Sequence, residues 1–225
     1  MVERELRWLP GFRLIASRFP PIDLFERVAE PADWELLIAL ESLTNPRLRQ
    51  ESGAISLVAV EDRVSGPGAS VIMAPFAHLN PLGSRFADAH SGALYAADTL
   101  ETAIAEVRHH REQFLRATRE PPTEIEMRCY LLDIVGRFHD LRAANSRYAD
   151  VMSPTSYVAS QAFARQLHRT GSNGICYDSV RRAGGQCLAV FRPRLVSNPR
   201  QGRHLRFVWN GERIDAIYEM RLLDS

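Results

Sequence analysis

The sequence predicts an α+β domain, and three observations carry that prediction. Short strand-like runs are numerous, three or four segments have helical spacing, and the two kinds do not alternate as β-α-β units do. The chain has 225 residues, 45% of them hydrophobic and 24% charged, which is ordinary globular usage. No linker, internal repeat or low-complexity tract divides it, so residues 1–225 read as one domain.

In chain order, Phe12 to Ser17 (FRLIAS) reads as an early strand. Ala32 to Leu43 places Trp34, Leu37, Ile38 and Glu41 at helical spacing, with Asp33 as a cap. Ile55 to Val60 is apolar except for Ser56 and reads as a mostly buried strand. Ser65 to Ser70 (SGPGAS) is a turn-rich loop. Val71 to Phe76 and Ala93 to Ala97 are short strand candidates on either side of a Gly/Pro/Asn loop.

The best-marked helix begins at Asp98, where DTLE resembles a capping box. Leu100, Ala103, Ile104, Val107 and Phe114 form its apolar stripe, and Pro121-Pro122 stops it. Ile125 to Ile134 follows as a strand. A second helix is expected from Ser153, with Pro154 in its first turn, to Gly171. Ile175 to Tyr177 and Leu188 to Phe191 read as strands around a Gly184-Gly185 turn. Asn210-Gly211 then joins a hairpin of Leu205 to Trp209 and Ile214 to Tyr218.

Composition excludes several functions. No apolar run approaches the 18 or more residues, roughly, of a membrane span. Met1 to Trp8 carries both charge signs and does not read as a secretory signal. The 28 basic residues are all arginine against 27 acidic ones, and a balance near +1 argues against a dedicated nucleic-acid binder. Without lysine there is no Schiff-base chemistry. Cys129, Cys176 and Cys187 are too few and too scattered for a disulfide framework or a CxxC zinc site, which fits a reducing cytoplasm.

Four constellations could carry chemistry. Gly66-Pro-Gly68 contains GxG, but no helix is expected after it to receive a dinucleotide pyrophosphate. Glu106 and His110, at i and i+4, share a helix side and could supply two metal ligands, with His109 beside them. A third ligand from His78, His90 or His139 has no spacing to recommend it, so no metal site is expected. Ser179, before Arg181-Arg182 and a diglycine, could bind an anion or simply form a turn. Finally, Arg85 in a loop, Tyr95 in a strand and Glu106 on the following helix can converge on one pocket.

This last stretch resembles the core of the RES-domain family, named after its Arg, Glu and Ser residues. FRLIASRFPP at Phe12, ESLTNPR at Glu41, GPGAS at Gly66, GSRF at Gly83, LYAA at Leu94, TAIAEV at Thr102, GICYDSVR at Gly174 and GQCLAVFRP at Gly185 follow in family order. The resemblance spans about residues 12–194 and leaves the long part before Gly83 without an assigned role. It implies an ADP-ribosyltransferase-like fold, with short strands in two small packed sheets and flanking helices. It also implies the toxin half of a bacterial toxin–antitoxin pair, with NAD as substrate and no separate cofactor. The family arginine falls on Arg85, the aromatic on Tyr95, the glutamate on Glu106 and the serine on Ser179. Asp178 stands where the family commonly has proline and adds a carboxylate beside Ser179.

The chemistry follows from the substrate. Nicotinamide leaves NAD as a neutral ring, and the ribose passes through an oxocarbenium-like state. Glu106 is expected to stabilise that cation and Arg85 to position phosphate or ribose. Tyr95 is expected to stack on nicotinamide with its hydroxyl free, and Ser179 to hydrogen-bond nicotinamide or phosphate. Water, phosphate or a protein side chain could be the acceptor, giving a glycohydrolase, a phosphorylase or an ADP-ribosyltransferase. A non-catalytic nucleotide-binding module is the alternative. The expected partner is an antitoxin with a helix-turn-helix domain. No direct contact with nucleic acid or membrane is expected, and the expected location is the cytoplasm.

Overall fold

The computed structural model describes residues 2–17, 55–142 and 146–221. The helix expected over 32–43 lies outside them.

Two long antiparallel strands form the frame. β1 (Glu3–Ala16) pairs with β3 (Thr123–Asp140) from Glu3↔His139 to Ala16↔Met127, with an irregularity between Trp8 and Gly11. In β3, Met127, Cys129, Leu132, Ile134 and Phe138 are buried. β6 (Val196–Trp209) takes the other edge of β3, and β7 (Ile214–Met220) folds back on it. The Asn210-Gly211 turn forms where expected, with Asn210 Oδ1 accepting from the backbone N–H groups of Glu212 and Arg213.

The end of β3 also pairs, in parallel, with β4 (Gly174–Asp178) through His139↔Ile175 and Asp140↔Cys176. β5 (Gln186–Val190) follows antiparallel to β4, and β2 (Leu94–Ala97) antiparallel to β5. β2 then meets β1 at Phe12↔Ala97. The order is β1-β2-β5-β4-β3-β6-β7, and the β1–β3 pairing turns its first five strands into a closed ring. The strands of the described residues thus form one seven-stranded sheet rather than the two small packed sheets expected. β1 and β3 are long enough to border different neighbours along their length, and strand irregularities of this kind increase the local twist that curls a sheet.

Among the described residues, three helices cover the sheet. α1 (Ala69–Ala77) buries Ile72, Met73 and Phe76 against Leu132, Ile134 and Phe138. α2 (Leu100–Ala117) lays Leu100, Ala103 and Leu115 on Met127, Phe207 and Trp209. α3 (Val158–Arg169) packs Ala164 toward Phe86, Ile175 and Phe191. Trp209 is 1% exposed and its indole N–H donates to Glu120 O at 2.9 Å, so its large apolar surface is buried without an orphaned donor.

Several local expectations are corrected. Val71–Phe76 is helical, because seven of the nine α1 residues are buried and an all-apolar run has no period to read. A helix therefore does follow Gly66-Pro-Gly68, but a 3₁₀ turn precedes that loop where a dinucleotide fold needs a parallel strand. Residues 55–60 are not a strand either. Ile55–Leu57 and Val60–Asp62 are 3₁₀ turns, with Ile55 and Val58 buried at a spacing of three and Arg63 Nε donating to Val58 O.

The helix cap is Thr99, not Asp98: its Oγ1 accepts from Thr102 N at 3.2 Å. Phe114 is 58% exposed, and Leu115 takes the buried place at the end of the stripe. α3 begins at Val158 rather than near Ser153, because Ser153 Oγ accepts from Thr155 N and Ser156 N and closes a turn instead. Among the described residues, no helix is long and apolar enough to cross a membrane.

Candidate active site

A cleft of about 360 Å³ opens where β1, β2, α2 and the segment before α3 meet. Phe12 and Arg13 reach it from β1, Ser84 and Arg85 from a loop, and Tyr95 from β2. Glu106 and His110 reach it from α2, and Tyr157, Tyr177 and Cys187 complete the lining.

Glu106 is the most constrained side chain. Ser179 Oγ donates to its Oε1 at 2.6 Å, and Cys187 Sγ to the same oxygen at 3.7 Å. Ser179 Oγ accepts from the backbone N–H groups of Arg181 and Arg182 at 3.1 and 3.0 Å. With its lone pairs directed at those donors, the hydroxyl proton is aimed at the carboxylate. Both side-chain donors converge on Oε1, so Oε2 is the oxygen without a protein donor among the described residues. The β4–β5 turn makes this possible. A Cβ on Gly185 would lie 2.5 Å from Thr102 Oγ1, so only glycine lets the turn press on the first turn of α2. Burial pushes the Cys187 thiol up, with the Glu106 charge adding to the shift, so Cys187 stays protonated and serves as a donor.

Two guanidinium groups supply the positive side. Arg85 is 5% exposed, and its Nη1 donates to Ser153 O at 2.8 Å. Its loop is tight: a Cβ on Gly83, which sits at φ +68, would lie 2.5 Å from Ala87 O. Gln161 Nε2 ties the loop to α3 by donating to Ser84 O at 3.1 Å. Arg13 Nη1 donates to Tyr95 O at 3.1 Å, while its Nε is buried with no partner among the described residues. Burial lowers the Arg13 pKa to about 10, which leaves it cationic at neutral pH.

The remaining walls are aromatic. Tyr95 Oη accepts from Phe86 N at 2.8 Å and shares a 2.8 Å hydrogen bond with Ser84 Oγ, and burial raises its pKa to about 12. Its hydroxyl is therefore not free, contrary to expectation: it fixes the Arg85 loop. The Arg85 guanidinium lies 5.0 Å from the centre of the Tyr157 ring. His110 stands 6.4 Å from that ring, and partial burial, then Arg181 and Arg85, hold its pKa below the usual histidine value.

Arg85, Tyr95 and Glu106 thus share the cleft, and Ser179 meets it through Glu106 rather than by lining it. Asp178 is exposed and follows Tyr177 in β4, so it faces the opposite side of the strand from that cleft-lining ring. No three His, Cys, Asp or Glu residues gather as for a metal ion among the described residues. Sequence reasoning missed Arg13, Tyr157, Tyr177 and Cys187 as cleft residues and met His110 only as a metal option. Arg13 did leave a signal, as a lone charge inside the apolar strand FRLIA. Tyr157 and Cys187 left none, because one sits in an irregular segment and the other in an ordinary buried strand.

The cleft thus combines a carboxylate held at one oxygen, the buried Arg85, the part-buried Arg13 and several aromatic rings. The chain matches the RES domain over residues 61–210, and it belongs to that family. It is 34% identical over 207 residues to "Uncharacterized protein y4oC" of Sinorhizobium fredii (strain NBRC 101917 / NGR234), across 92% of this chain and 86% of that protein. A crystal structure of the M. tuberculosis MbcT-MbcA toxin-antitoxin complex has a chain that superposes with a TM-score of 0.42 at 16% identity. The match covers 60% of this chain and 81% of that one.

Proposed function

We propose that this protein cleaves the nicotinamide–ribose bond of NAD as the toxin of a bacterial toxin–antitoxin pair, on a fold of the ADP-ribosyltransferase kind. The carrying observation is Glu106, held through Oε1 in the same cleft as Arg13 and Arg85. NAD has the matching charges, a pyrophosphate anion and a pyridinium cation. Arg13 and Arg85 hold the pyrophosphate, since Arg13 Nε is buried without a partner among the described residues, Arg85 donates there only through Nη1, and guanidinium donors of this kind favour an incoming oxyanion.

Glu106 faces the ribose as the glycosidic bond breaks. Its fixed charge stabilises the developing oxocarbenium and needs no reorganisation at that moment. The bonding pair leaves with nicotinamide, and the acceptor adds to the anomeric carbon. With water as acceptor the products are nicotinamide, ADP-ribose and one proton. His110, held below the usual histidine pKa, is positioned in the cleft to take that proton. An antitoxin carrying a helix-turn-helix domain would act by covering the cleft.

The test incubates purified protein with NAD and follows free nicotinamide, with and without phosphate or a protein acceptor. Nicotinamide release is the expected result, and the carrier of the ADP-ribosyl group identifies the acceptor. Tight binding of NAD without release would replace the enzyme with a nucleotide-binding module. In cells, expression is expected to lower NAD and stop growth, and co-expression of a cognate antitoxin to restore both. Normal growth with undiminished NAD, at high levels of folded protein, would contradict the toxin role.

A further inference from the structure

Tyr157 takes no part in the bond-breaking chemistry, yet its ring meets two of the cleft's key groups, Arg85 and His110. It ends an irregular segment and immediately precedes α3. The same segment meets Arg85 three times, the weakest contact being Val151 O, which accepts from Nη1 at 3.5 Å. Ser153 O accepts from Arg85 Nη1 at 2.8 Å, and the Tyr157 ring lies 5.0 Å from the guanidinium carbon. A guanidinium is planar, so carbonyls accepting at one nitrogen and a ring lying 5.0 Å from its carbon together restrict how that plane can turn. Arg85 Nε and Nη2 make no hydrogen bond within the described residues. Arg85 lines the cleft and is 5% exposed, but these two donors are not sealed off, so a ligand in the cleft can reach them.

We infer that Tyr157 is a positioning residue, which sets the plane of the Arg85 guanidinium so that its Nε–Nη2 edge meets the anionic group of the substrate. This rests on the reading that the cleft takes NAD. The contact between ring and cation in a partly desolvated cleft is the size of effect that changes affinity by about 5- to 25-fold. The role belongs to the aromatic face and not to the phenol, because no hydrogen bond from the Tyr157 hydroxyl enters the arrangement.

The test is calorimetric titration of ADP-ribose, which carries the pyrophosphate and lacks nicotinamide, into the full chain. The variants are Tyr157→Phe, Tyr157→Leu, Arg85→Ala and the double variant Arg85→Ala with Tyr157→Leu. Tyr157→Leu is expected to bind about 5- to 25-fold more weakly, and Tyr157→Phe within about twofold of wild type. In the Arg85→Ala background, Tyr157→Leu is expected to add nothing, because the interaction it removes is already gone. With NAD, Tyr157→Leu should raise KM and leave kcat within about threefold. If Tyr157→Leu fails to fold, Tyr157→Gln removes the aromatic face with a flexible side chain and carries the same expectation. Wild-type affinity in Tyr157→Leu, equal losses in the Phe and Leu variants, or an undiminished loss in the Arg85→Ala background would each overturn the inference. A wild-type protein that does not bind ADP-ribose would instead overturn the NAD reading, and this inference with it.

Discussion

The acidic and basic sides of the cleft are built on opposite plans. Around Glu106 the protein supplies its own donors: two backbone N–H groups fix Ser179, Ser179 and Cys187 hold Oε1, and the glycine turn presses them onto α2. Around Arg13 and Arg85 donors are left over, with Arg13 Nε buried and unpartnered among the described residues and Arg85 engaged only through Nη1. A charge that must act at the instant a bond breaks is best fixed beforehand. Groups that hold a substrate must instead keep donors for it, and the folded protein without ligand bears the cost of leaving them unsatisfied. Under the proposed NAD-cleaving function, the difference would separate a reacting side from a binding side.

Substitutions can break or sharpen that contrast. The largest effect is expected at Glu106: Glu106→Gln should lower the rate of nicotinamide release by about 10²–10³-fold, and should cost about 1 kcal/mol of stability because a neutral oxygen replaces the charged acceptor of Ser179. Arg85→Ala should reduce kcat/KM by roughly 10- to 150-fold, mainly through KM, as loss of a charge-assisted hydrogen bond does. Arg13→Ala should weaken NAD binding similarly while leaving the melting temperature unchanged or raised, because it removes a buried cation with an unpartnered donor. A fall in melting temperature with unaltered KM would make Arg13 structural and erase the contrast. Ser179→Ala should lower kcat about 10-fold at nearly constant KM, and should also cost about 1 kcal/mol of stability by freeing two backbone N–H groups.

The smallest expected effect is on stability against pH. Burial, first among the causes, holds His109, His110 and His168 below the ordinary value of 6.5. Below that value the unfolded chain takes up more protons than the folded one. Stability is therefore fully present above about pH 6.5 and is lost progressively as the pH falls below it. Melting curves between about pH 7.5 and 5 should show a falling Tm, and a flat profile would mean that these sites accept the charge without penalty.

How much of this the sequence showed depended on whether a residue's surroundings were local. α2 was readable because its apolar stripe lies within one segment, although Thr99 rather than Asp98 caps it, and the β6–β7 hairpin because Asn-Gly dictates its own turn. Arg85, Tyr95, Glu106 and Ser179 were readable as an ordered set of motifs. The closed ring of strands was not, since it depends on Phe12 meeting Ala97 and His139 meeting Ile175. The burial that makes α1 central also hid it, by removing the polar face that would have revealed a helical period. Tyr95 shows the same limit within the site. Its type and place were legible, but the partners that occupy its hydroxyl, Ser84 and Phe86, come from a loop whose path only the fold defines.

The division between a reacting side and a binding side is tested most directly by titrating NAD into the Glu106→Gln variant and measuring its turnover in the same preparation. The expected result is binding within about threefold of wild type beside a turnover reduced about 10²–10³-fold, because the amide keeps the shape of the carboxylate and loses only its charge. Binding that falls in step with turnover would place Glu106 on the binding side, and an unchanged turnover would remove it from the chemistry.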